Sequence, residues 1–123
     1  MKNGNINLID LDFEYKLWKE RLALFIREVE TLRHRNEELK HEPNHPMLNS
    51  VELMVLDDHQ DLLEKLHKRI VTQEQELQFY NKDFPITSNH QYYKEHVSLQ
   101  RRMQEMTQTH LDKVADVVKE LGI

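Results

Sequence analysis

Apolar residues recur along the first third of the chain in alternating steps of four and three, through Leu11, Tyr15, Trp18, Leu22, Phe25, Val29, Leu32 and Leu39, with Asn36 the one polar interruption. That spacing keeps a single stripe on a helix and defines a heptad seam. Leu17 and Leu24 flank it and are expected to widen the stripe, as a helix packed against two neighbours requires. A second seam runs through Leu56, His59, Leu63, Leu66, Ile70, Gln73, Leu77, Tyr80 and Phe84. The third comprises Tyr92, His96, Leu99, Met103, Met106, His110, Val114, Val117 and Leu121, with a stutter around His110 that locally relaxes supercoiling.

Pro43, Pro46 and Pro85 separate the seams, because a residue before proline is pushed away from helical angles. Helices are therefore expected over about 8–41, 47–83 and 88–121. Asn7 with Asp10, or Asp10 itself, can cap the first, and either Pro46 or an Asn49/Glu52 capping box can open the second. Ser88 with Gln91 suits the start of the third and Gly122 its end. Short connections force antiparallel neighbours, so the expected fold is all-α: one domain over 1–123, an antiparallel up-down-up three-helix bundle of long helices with coiled-coil-like packing. Folding the seams back on one another places Trp18 level with Ile70 and Met103, and Leu22 with Leu66 and Met106. The same ruler sets Phe25 beside Leu63 and His110, Val29 beside His59 and Val114, and Leu11 beside Leu77 and His96.

Composition narrows the function. Two Gly and three Pro in 123 residues leave little for the turns of an all-β fold. A charged content of 32% and a mean hydropathy of -0.79 suit a narrow bundle with a large solvated surface, and the periodic apolar stripe argues against disorder. A net charge of -5 argues against nucleic acid, which demands a concentrated basic face. The absence of cysteine excludes disulfides and thiolate chemistry and agrees with a reducing compartment. Met1-Lys2-Asn3-Gly4-Asn5 leads into no signal-peptide core and no stretch is long and apolar enough to span a bilayer, so a cytoplasmic protein without membrane partners is expected.

Eight histidines raise the question of a metal, imidazole being the commonest transition-metal ligand. The seams single out His59, His110 and His96; His34, His41, His45, His67 and His90 fall on flanks, helix ends or loops. His59 and His110 are expected one layer apart on adjacent helices, close enough to share a hydrogen bond, a water or an ion. No carboxylate is expected in their layers, and His96 is expected near Asp10 or Asp12. The competing reading is a set of core-edge histidines bonded to their neighbours. Glu64-Lys65-Leu66-His67 has the spelling of a di-iron bundle motif, but Leu66 is the seam residue, which turns Glu64 and His67 outward. No nucleophile motif and no phosphate-binding loop is present, so neither catalysis nor a bound cofactor is expected. Leu53, Met54 and Val55 precede the seam residue Leu56 and make α-helical structure apolar all round, which either packs under the Pro43 to Pro46 loop or meets another chain. A non-enzymatic bundle acting through a protein partner or self-association is the leading expectation, and a histidine-centred metal or small-ligand site the alternative.

Glu14-Tyr15-Lys16-Leu17-Trp18 with Leu22, Phe25 and Glu28, then Leu66, Ile70, Glu74 and Leu77, then His90 with Lys94-Glu95-His96, together resemble a family of small bacterial helical proteins of unassigned function. Tyr15 departs from a histidine in that pattern. The resemblance implies a cytosolic helical bundle and supplies no activity.

Overall fold

Asn7 opens the first helix in the computed structural model, which describes residues 5–81 and 84–123: its Oδ1 accepts the Ile9 amide at 2.9 Å. Helix α1 spans Leu8–Leu39, α2 spans Ser50–Glu76, and α3 spans Gln91–Leu121. Lys19 bonds Glu74 while Arg33 bonds Gln60 and Asp57, so α2 runs antiparallel to α1. Glu14 meets His96 and Glu28 meets His110, so α3 runs parallel to α1. These pairings define the all-α up-down-up bundle.

Every seam position of α1, Asn36 included, is buried, as are Leu56, His59, Leu63, Leu66, Ile70, Gln73 and Leu77 on the second strip. On α3 the buried set is Tyr92, His96, Leu99, Met103, His110, Val117 and Leu121, with Met106 and Val114 half-buried against it. Leu17 and Leu24 do not widen the core and are exposed. Each lies two residues past a seam position, about 200° around the helix, and both neighbours of α1 sit on the seam side. Asn36 Oδ1 accepts the buried Leu48 amide at 2.9 Å, pinning the α1–α2 connection to the core.

Helix boundaries differ from the expected 8–41, 47–83 and 88–121 for local reasons. Of the two possible starts for α2, the capping box is used: Asn49 and Glu52 exchange amide-to-side-chain bonds of 2.8 Å, so the helix begins at Ser50 and Pro46 stays in the connection. Before it the chain turns at Asn44, whose φ of 60° is one that asparagine tolerates. After Glu76 the helix tightens into a 3-10 turn over Leu77–Phe79, and Phe84 is 69% exposed instead of continuing the seam. The expected end of this helix at 83 lies outside the described residues, as does most of the Met1-to-Asn5 start.

The third helix starts later than Ser88 because the chain before it is held extended. β1, Asn5–Ile6, pairs antiparallel with β2, Ile86–Thr87, in a two-stranded ribbon that periodicity did not reveal. The chain then turns through residues 88–90, and His90 is the cap, its Nδ1 accepting the Tyr92 amide at 3.1 Å. Gly122 closes α3 at φ 68°, donating its amide to Lys119 and Val118 carbonyls. His96 stacks on Trp18 at 5.0 Å between ring centroids instead of lying level with Leu11. Phe25 does stack on His110, at 4.1 Å.

Candidate functional site

Three helices contribute one side chain each to a hydrogen-bonded row across the bundle. Glu28 of α1 stands 2.7 Å from His110 Nε2, and His110 Nδ1 stands 2.9 Å from His59 Nε2. A carboxylate only accepts, so His110 donates through Nε2 and, when neutral, presents Nδ1 as a lone pair. His59 must then donate through Nε2, which leaves its own Nδ1 a lone pair, buried and without a partner among the described residues. Phe25 stacks on the outer face of His110, and the two imidazoles are nearly parallel at 19°. His59 exposes 2% of its surface and His110 none, whereas the Glu28 carboxylate keeps 45% of its side chain in solvent. The row therefore begins at the α1–α3 surface and ends inside.

Burial, followed by the positive charge that His110 and Lys113 would direct at it, pulls the His59 pKa down to about 4. The ring is neutral at neutral pH. The expectation that no carboxylate shares this layer is corrected by Glu28. It occupies the position before the seam residue Val29, from where a long side chain reaches across to α3.

A second polar layer repeats the first. His96 Nε2 donates to Glu14 Oε1 at 3.0 Å, and Gln100 approaches the other carboxylate oxygen at 3.4 Å. Glu14, not Asp10 or Asp12, is the acid because it stands immediately before Tyr15 on the face turned toward α3. Here burial outweighs the nearby Glu14 and lowers the His96 pKa, and His96 Nδ1 is again buried without a partner among the described residues. Gln73 takes the α2 place: its side-chain amide donates to the Tyr92 carbonyl, while the Tyr92 hydroxyl donates to the Gln73 carbonyl. Tyr15 packs edge-on to His96, and burial pushes its hydroxyl up to about 12. Glu14 and Glu28, His96 and His110, and Gln73 and His59 are all fourteen residues apart. The two layers are thus spaced by two heptads, about 21 Å along the axis.

Above His59 lies a groove between α2 and α3. One hollow, of about 250 Å³, is lined by Val55, Asp58, His59, Leu62, Thr109 and Lys113. A tighter one, of about 90 Å³, is lined by Val51, Glu52, Val55, Leu56, Lys113, Asp116, Val117 and Glu120, and the two adjoin at Val55 and Lys113. Val51, Val55 and Leu62 are exposed, at 65%, 42% and 51%, and fall in steps of four and seven, which is a second heptad stripe on α2. Met54 beside them is also exposed, while Leu53 is half-buried against the core. Of the three residues Leu53, Met54 and Val55, two thus face solvent and one packs inward. Burial raises the Glu120 pKa from its ordinary value, helped by Glu52 and Asp116 and opposed by Lys113.

The structure brings His59 and His110 together but spends their facing nitrogens on each other and leaves His96 in the other layer. Among the described residues no group of three His, Cys, Asp or Glu side chains could hold a metal ion, and no helix is long and apolar enough to cross a membrane. Glu64 is exposed and His67 half-buried, and both line a surface hollow with Ala23, Ile26 and Arg27. Both glutamates escaped the seam pattern because they lie off it. The fourteen-residue repeat they share with the histidines was the available signal. Compared with family models, curated proteins and solved structures, the chain matches none.

Proposed function

We propose that the protein is a non-enzymatic helical bundle that works by binding another protein surface, and that the α2–α3 groove is where it does so. The observation that carries this reading is the second apolar stripe, Val51, Val55 and Leu62, left uncovered by the three helices. A two-sided helix of this kind is ordinarily covered on both sides, and a groove three turns long accepts one further helix. His59 lines this surface from beneath and is tied through its Nε2 to His110 within the bundle.

Photo-crosslinking residues placed at Met54 and at Leu62 test the reading, with Glu30 on the exposed back of α1 as control. Leu62 in the groove and Met54 beside it are both expected to capture the same protein, identified by mass spectrometry, and to lose it in the Val55→Glu background. Absence of an adduct, or the same adducts from position 30, would overturn it.

A further inference from the structure

The rim of the groove carries an excess of one sign. Glu52 and Asp58 stand on the α2 wall, and Asp116 and Glu120 on the α3 wall, with Lys113 the cation among the residues that line it. At Glu120 the neighbouring Glu52 and Asp116 add to the effect of burial in raising its pKa, and Lys113 opposes them. An apolar floor between acidic walls complements an apolar stripe between basic flanks. From Val51 to Leu62 the floor spans about 16 Å, room for three helical turns.

Resting on the association reading above, we infer that the occupant of the α2–α3 groove is a basic amphipathic helix of a partner protein. Its apolar residues, at spacings of three and four, lie on Val51, Val55 and Leu62, and its Lys or Arg residues face Glu52, Asp58, Asp116 and Glu120. Charge complementarity of this kind speeds encounter and makes binding sensitive to salt.

The probe is a labelled helical peptide of about four turns built from Leu and Lys in amphipathic order, with a Leu/Glu peptide of the same apolar pattern beside it. Binding of the Leu/Lys peptide is expected at low salt, with weakening as salt rises and amide shifts confined to α2 residues 51–62 and α3 residues 109–120. Asp58→Lys with Asp116→Lys should weaken it about tenfold or more, while Glu20→Lys with Glu30→Lys, which changes net charge equally on α1, should leave it within about twofold. All four residues are exposed, so each variant is expected to keep the wild-type melting temperature. Loss of binding in both double variants, or shifts outside the groove, would reduce the effect to general attraction and overturn the inference. Equal or tighter binding of the Leu/Glu peptide would overturn the charge class and leave the association reading standing. Sedimentation showing two copies joined through α2 would also overturn the basic partner. Crosslinked partners lacking a basic amphipathic helix would do the same, whereas missing crosslinks alone would remove the association reading.

Discussion

Protonating His59 would place a charge on a ring that exposes 2% of its surface, and the ring's pKa of about 4 expresses that penalty. In the unfolded chain the same group titrates near its ordinary value of 6.5. Above that pH both states hold the neutral ring and its contribution to stability is complete. As pH falls from 6.5 toward about 4, the unfolded chain takes up the proton first, and on the order of 3 kcal/mol of stability is lost. His96, lowered in the same direction, adds to the loss. The melting temperature should therefore fall across this interval, and His59→Gln should make the fall shallower. A wild type and variant with parallel pH profiles would contradict the burial of a neutral His59. At this scale the sequence was half legible. Heptad spacing is enough to place a histidine inside, but its hydrogen-bond partner depends on which flank faces the neighbouring helix, and that is decided by packing.

Helix α2 joins two seams, one facing the core and one facing the groove, and adjacent leucines separate them. Leu63 is fully buried and Leu62 is half in solvent. Leu63→Ala should destabilise by about 2–5 kcal/mol through the lost burial and the cavity left behind. Leu62→Lys should alter stability by less than about 0.5 kcal/mol in chemical denaturation, yet abolish capture of a partner at Met54. Equal losses of stability in the two variants would refute the division of the helix into two faces. The inner seam was readable because its period repeats over many turns. The outer one was glimpsed only at Leu53, Met54 and Val55, where it crowds the inner. The ends of the elements were read where a cap has its own chemistry, as at Asn7, Asn49 with Glu52, and Gly122. The start of α3 was not, because a ribbon of two residues per strand has too short a period to register, and it alone moves the helix from Ser88 to Gln91.

Across the whole molecule, regular apolar layers would tolerate sliding: a heptad seam displaced by seven residues still meets a heptad seam. The paired polar layers remove that freedom. If α3 slid by one heptad along α1, His96 would come opposite Arg21 and His110 opposite Arg35, so each imidazole donor would face a cation in place of a carboxylate. Slipping the other way sets them against Asn7 and Arg21. Arg21→Glu with Arg35→Glu should therefore open a competing alignment, detectable as a second set of amide resonances and a broader thermal transition. A single, equally sharp state would show that the apolar layers alone choose the alignment. The glutamate and histidine pairs thus act as the teeth of a key, in which the spacing between teeth, more than the strength of either one, admits a single position.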